Sequence, residues 1–242
     1  MIEQVHMQTH MVITDRLGGA SVAPYDSRNL GGSVGDDAAT VRQNRDRTAR
    51  DLGVDPARIV FMRQVHSADV AFVTEPFPGE PPGLDAVFTT ESALALCVLV
   101  ADCAPVLIAD ADAGMVGAAH SGRAGTALGV VSALIRAMAG RGADPARMTA
   151  LVGPAACGLC YEVSASLREE VAAGLPETWS TTRQGTPALD IRAGIAAQLA
   201  AEGITDVRHD DRCTIETPEL FSYRRERTTG RFAGYVWLDA AR

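Results

Sequence analysis

The chain has 242 residues, 47% of them hydrophobic, and a formal net charge of −8 at pH 7. That length suits one large domain with a buried core, and an acidic balance with no basic patch excludes nucleic acid as an expected partner. All 22 basic residues are arginines, which excludes Schiff-base lysine chemistry and the phosphate-binding lysine of P-loops but leaves arginine forks for phosphate or carboxylate.

Five cysteines are too few for a disulfide scaffold, and an odd count fits a reducing, cytoplasmic setting. Residues 1–11 are polar and lack the basic and apolar regions of a signal peptide. The longest apolar run, 93–100, is far shorter than the roughly 20 residues of a membrane span, so no membrane partner is expected. No repeat or linker interrupts the sequence, and a single domain over 1–242 is expected, as a monomer or weak homodimer.

A Gly-rich loop, 18–35, ends at Asp36-Asp37, which can cap a predicted helix over 38–52. A strand at 59–62 leads into Arg63-Gln64-Val65-His66, and 70–73 is expected as its hairpin partner. The proline-dense stretch 76–82 reads as a surface loop before a short strand at 85–89. Residues 94–100 form a strand apolar on both faces, followed by strands at 106–109 and 115–119, the latter ending at His120. The spacing of Leu128, Val131, Leu134, Ile135 and Met138 predicts one helix over 126–139. A strand at 148–152, helices at 163–173 and 191–202, a strand starting at Val207-Arg208 and a last strand at 233–238 complete the chain. Strands outnumber helices and do not alternate strictly with them. This predicts an α+β fold: one domain with mixed β-sheets flanked by helices.

His66, Cys103 and His120 stand at strand ends or sharp turns. A catalytic zinc takes three N, S or O ligands and keeps one open position, which this trio meets. The spacings of 37 and 17 residues form no local motif, so spacing alone leaves open that each is an ordinary structural residue. Asp102, beside Cys103, is read either as orienting a bound water or ligand histidine, or as a turn-stabilising carboxylate. The stretch from Ser121 to Thr126, with Arg123, is either a phosphate cradle or an ordinary Gly-rich helix start. Arg63 and Gln64 flank His66, as phosphate or base contacts or as strand residues. The G-x-S-x-G match at Gly31-Gly32-Ser33-Val34-Gly35 follows no apolar strand, so a nucleophile elbow is not expected. Cys157 and Cys160 form a C-x-x-C, read as a redox pair or half of a structural zinc site, with no second C-x-x-C to complete it.

The segments R-Q-V-H-S-A-D-V, D-A-V-F-T-T, V-A-D-C-A-P-V-L-I-A-D, A-A-H-S-G-R-A-G and C-Y-E-V, with S-R-N-L-G-G-S-V-G-D-D before them and F-S-Y-R-R-E-R-T-T-G-R after, are spread along the chain. Together they closely resemble the laccase-domain, or YfiH-like, family. The resemblance implies a zinc site at His66, Cys103 and His120, and purine nucleoside phosphorylase activity on adenosine, inosine or methylthioadenosine, with adenosine deaminase activity in some members. Its further implications are peptidoglycan precursor editing, seen in a bacterial member, and copper-dependent polyphenol oxidation, from the older laccase label. It also brings Asn29, Asn44 and Arg45 into family-like segments, as weaker substrate-side candidates. Where the family usually reads H-A-G-W-R-G, this chain has His120-Ser121-Gly122-Arg123-Ala124-Gly125. The ring is lost, and Arg123 would have to take over any anion contact of the usual arginine. Copper is disfavoured: a blue centre plus a three-copper cluster needs more than the five histidines present.

Overall fold

The computed structural model describes residues 8–239; the reading of residues 1–7 as part of a polar, signal-free start lies outside them. The chain is α+β. In order it forms β1 (Thr9–Ile13), α1 (Ala38–Leu52), β2 (Ile59–Val60), β3 (Val70–Phe72), β4 (Ala86–Thr89), β5 (Ala95–Val100), β6 (Ala104–Asp110) and β7 (Met115–Ser121). There follow α2 (Arg123–Leu128), α3 (Val130–Ala139), β8 (Thr149–Val152), α4 (Ala165–Gly174), β9 (Trp179–Thr181), β10 (Pro187–Leu189), α5 (Ile191–Ala201), β11 (Asp206–His209), α6 (Tyr223–Glu226) and β12 (Phe232–Leu238). One sheet has the order β1-β12-β5-β2, a second β11-β8-β6-β7-β4-β3, and β9 pairs with β10. Both larger sheets are mixed.

The strand period explains the layering. In β5, Leu96, Val98 and Val100 point one way, into an apolar layer shared with Leu107 of β6, Val116 of β7 and Val236 of β12. Ala95 and Cys97 point the other way, against Ala49 of α1 and Tyr235 of β12. A strand buried on both faces must be apolar throughout, as this one is. The outer face of the six-stranded sheet, including Val106 and Ile108, packs on Leu134, Ile135 and Met138 of α3 and on Ile195 and Leu199 of α5. The two sheets are therefore stacked, with helices outside. The Asp37 carboxylate caps α1, accepting from the Thr40 amide at 2.8 Å. Such a cap is worth about 1 kcal/mol. No helix among the described residues is long and apolar enough to cross a membrane.

Two sequence-based expectations fail. Residues 59–62 and 70–73 are not a hairpin: β2 runs parallel to β5 in one sheet, and β3 runs parallel to β4 in the other. The chain between them crosses from sheet to sheet. The helix predicted over 126–139 is two helices, because Gly129 takes φ 80°, ending α2 and starting α3 in a new direction. That left-handed turn is open to glycine at little cost. Leu128, placed on the buried face by spacing, is consequently 64% exposed.

Candidate metal centre

β6 and β7 are a hairpin in which Ala104 pairs with Ser121 and Pro105 with His120. Continuing the register by one residue sets Cys103 opposite Gly122. Cys103 and His120, 17 positions apart in the sequence, thus meet because a tight turn folds the chain between them back. His66 arrives from the crossing between the two sheets. Its Nε2 lies 3.8 Å from the Cys103 Sγ, and its ring centroid lies 4.8 Å from that of His120, nearly edge-on. The donor atoms of His66, Cys103 and His120 all fall within 4.8 Å of one another.

Asp85 organises the centre. Its fully buried carboxylate accepts from the His120 ring Nδ1 at 2.7 Å through Oδ1. Through Oδ2 it accepts from the amides of Val65 at 3.0 Å and Ser67 at 2.7 Å. His66, between those amides, has φ 62°. A side chain in that left-handed region carries backbone strain of about 1–3 kcal/mol, and it persists where surrounding bonds over-determine it. Burial works against ionising Asp85, yet the His120 ring and the two amides outweigh it and hold its pKa near 2. Burial likewise opposes the Cys103 thiolate, but the two histidines bring it down to about 6, while His120 is raised to about 9 by Cys103 and Asp85 despite its burial. The opposed directions of these two shifts favour a thiolate beside an imidazolium near neutral pH.

Gly122 leaves the space these groups need. A Cβ there would stand 2.6 Å from the Cys103 Sγ and 2.9 Å from the His66 Cδ2. Ser121 is buried and its hydroxyl bonds Thr126 Oγ1 at 2.7 Å, at the start of α2. Gly122 caps α2 with no side-chain bond. The Arg123 side chain, half-buried at the first turn, makes no hydrogen bond or ion pair among the described residues. Arg231 is near enough for Cys103, Asp102 and Tyr223 to act on its charge; burial lowers its pKa and these groups partly restore it.

The other sequence candidates are engaged elsewhere. The Asp102 carboxylate accepts from Thr214 Oγ1 at 2.6 Å, Ser222 Oγ at 2.7 Å and the Arg224 amide at 2.7 Å, so it anchors the segment before β12. Gln64 makes paired bonds to the Leu99 backbone, donating at 2.7 Å and accepting at 2.9 Å. Arg63 is exposed and reaches the Pro81 carbonyl at 3.3 Å and the Glu80 carboxylate at 3.5 Å. Asn29 and Asn44 are buried and hold the loop before α1: Asn29 accepts from the Gly31 and Arg231 amides, and Asn44 donates to the Asn29 carbonyl. Arg45 donates to the Leu30 carbonyl and stacks on Phe61. Two surface hollows, of about 280 and 410 Å³, include none of the three donors.

Asp85 was missed by sequence reasoning, which saw only the first residue of a short strand. The available signal was a carboxylate directly before the apolar run Ala86-Val87-Phe88 of a strand buried throughout, Ala86–Thr89.

A family described as multi-copper polyphenol oxidoreductase laccase has a model that matches residues 10–239. The chain belongs to that family. Among its relatives, a purine nucleoside phosphorylase of Streptomyces griseus is 58% identical over 232 residues, covering 95% of this chain and 94% of the relative. Another from Streptomyces coelicolor is 56% identical over 231 residues, covering 95% and 96%. In this laccase-type family the fold is also seen in a solved Neisseria meningitidis structure, 34% identical with a TM-score of 0.87, covering 96% of this chain and 95% of that one.

Proposed function

We propose that the chain is a zinc-dependent purine nucleoside phosphorylase that cleaves adenosine, inosine or methylthioadenosine with phosphate. The observation that carries this reading is the 58% identity, over nearly the whole chain, with the Streptomyces griseus purine nucleoside phosphorylase. The donor chemistry supports the metal. Two imidazoles and a thiolate are a three-ligand zinc set, and the missing Cβ at Gly122 keeps their meeting point clear. His66, Cys103 and His120 would hold the zinc, which would supply a Lewis acid there.

The chain's own residues do the rest. Asp85 fixes the His120 ring through Nδ1 and so commits Nε2 to the metal. Arg123 and the uncapped amides at the start of α2 offer a positive place for phosphate, and Arg231 adds a second guanidinium near Cys103. Held there, a phosphate oxygen attacks the ribose C1′, the bond from C1′ to the purine nitrogen breaks, and the purine leaves with the electron pair and takes up a proton. Adenosine deamination is a second activity of the same centre in this proposal, since the Lewis acid that these residues would hold would also serve water chemistry.

The test is phosphate dependence. Hypoxanthine release from inosine should require phosphate and yield ribose-1-phosphate; release without phosphate defeats the phosphorylase reading. Arg123→Ala should weaken phosphate use by about tenfold or more, since a charge-assisted bond is worth about 1.5–3 kcal/mol. Adenosine deamination should suffer less, and equal losses would make Arg123 a scaffold residue. The His₂Cys set is also that of a blue-copper centre, so the copper-loaded protein is part of the test: it should show neither an intense blue band nor phenol oxidation.

A further inference from the structure

A second group of metal-type donors lies apart from the first. The sulfurs of Cys157, Cys160 and Cys213 and a carboxylate oxygen of Glu216 all lie within 4.8 Å of one another. All three cysteines are free thiols. They are presented by two turns of the same spacing. In one, the Cys160 amide donates to the Cys157 carbonyl at 2.9 Å. In the other, the Glu216 amide donates to the Cys213 carbonyl at 3.1 Å and the Thr217 amide to the same oxygen at 2.9 Å. Each turn folds residues i and i+3 toward each other. The turns follow β8 and β11, which are parallel neighbours, and a bridge between Ala155 and Cys213 extends that pairing. The Cys157 amide then donates to the Cys213 sulfur at 3.4 Å. The C-x-x-C that lacked a partner in the sequence therefore faces a C-x-x-E.

We infer that Cys157, Cys160, Cys213 and Glu216 form a structural site for a thiophilic divalent cation, zinc first, separate from the His66–Cys103–His120 centre. Three thiolates and one carboxylate fill all four positions of a tetrahedral ion and leave none for water or substrate, the mark of a structural site. Thiolates select zinc and exclude magnesium and calcium. With Zn–S about 2.3 Å and Zn–O about 2.0–2.2 Å, tetrahedral ligand atoms stand roughly 3.4–3.8 Å apart, so a contraction of about 1 Å closes the site. Charge is provided for. Arg183 donates to the Cys160 sulfur at 3.2 Å and pairs with the Glu216 carboxylate, so a divalent ion and this guanidinium together offset three of the four ligand charges. A disulfide between Cys157 and Cys160 would account for two of the donors and leave the convergence of Cys213 and Glu216 without a cause.

The site ties two loops that also brace the first centre. The Ala156 amide donates to the Asp102 carbonyl at 2.9 Å, and Thr214 Oγ1 to the Asp102 carboxylate at 2.6 Å. Ala156 and Thr214 adjoin Cys157 and Cys213, and Asp102 adjoins Cys103. An ion held by the second set thus fixes the backbone beneath the thiolate of the first.

The test uses the full chain, purified under mild reduction with zinc and measured for metal in the presence of a competing chelator. The native chain should hold about two zinc ions, one per four-coordinate site. Cys103→Ser should keep one, and X-ray absorption at its zinc edge should report three sulfur ligands and one oxygen. Cys160→Ser and Glu216→Gln change half-buried or exposed side chains, and each should weaken the second zinc at least tenfold and abolish the rise in Tm that zinc gives to Cys103→Ser protein. A folded Cys103→Ser protein without zinc, an unchanged zinc content in Cys160→Ser, or a Cys157–Cys160 disulfide under the same reducing conditions would each overturn the inference. If Cys103→Ser does not fold, the stoichiometry of Cys160→Ser in the otherwise native chain decides: a fall from two to one supports the site, and no change overturns it.

Discussion

The Asp85 carboxylate and the His120 ring stand 2.7 Å apart, Oδ1 to Nδ1, and the other oxygen of the same carboxylate holds the two amides that flank His66. One buried charge therefore orients two of the three donors, which arrive on different segments. Replacing Asp85 by Asn keeps the shape and removes the charge. Zinc affinity should fall about 10–100-fold, the usual cost of losing an outer carboxylate partner, as measured by chelator competition on protein whose circular dichroism is native. Unchanged affinity would reduce Asp85 to a loop brace.

Gly122 gives a steric prediction. Gly122→Ala should lower metal affinity at least tenfold, because its Cβ would lie 2.6 Å from the Cys103 sulfur. Its φ is −87°, which alanine accepts, so the loss of folding stability should stay within about 1–3 kcal/mol, the range for local overpacking. Metal titration and urea unfolding on the same preparation separate the two effects. Full metal binding by the alanine variant would mean that the loop moves aside freely.

Asp102 should behave as an anchor. Asp102→Ala leaves Thr214, Ser222 and the Arg224 amide without their acceptor, and should cost about 2–4 kcal/mol in denaturant unfolding. Zinc affinity of the protein that remains folded should change far less than in the Asp85 variant. The opposite pattern, native stability with lost metal, would return Asp102 to the role of orienting a bound water or a ligand histidine.

Proton release on zinc binding follows from the opposed shifts of Cys103, near 6, and His120, near 9. Between these values the thiol has already lost its proton and the imidazole still carries one. Binding at pH 7.5 should therefore release about one proton, and affinity should rise about tenfold per pH unit until His120 deprotonates. Below pH 6 the thiolate also protonates, and the dependence should steepen further. Calorimetry in buffers of different ionisation enthalpy counts them; two protons at pH 7.5 would contradict the thiolate–imidazolium pair.

Much of this could be read in the sequence where local chemistry decides. The capped start of α1 and the doubly apolar β5 were legible because a side-chain oxygen and a two-sided burial each leave a mark on neighbouring residues. The false hairpin arose because β2 has two residues and β3 three, too few to carry a period, and their true partners lie farther along the chain. The break at Gly129 is hidden in the sequence because nothing local says that it adopts a positive φ. The meeting of Cys103 with His120 was latent in the two strands that flank a short turn. That of His66 with Asp85 was not, since it depends on how two sheets stack.

The pairing of β1 with β12 joins Thr9 to Leu238, a separation of 229 residues, and β12 also lies between β1 and β5. During synthesis β1 and one edge of β5 wait, unpaired, for nearly all of the intervening chain to emerge. Contacts this distant must overcome a large loop-closure entropy before they contribute, which makes folding slow and leaves strand edges open to self-association meanwhile. The bonds from Thr214 and Ser222 that brace Asp102, beside Cys103, likewise form only once the chain beyond residue 210 has arrived, so this strand end takes its final shape late, with the closing of the polypeptide on itself.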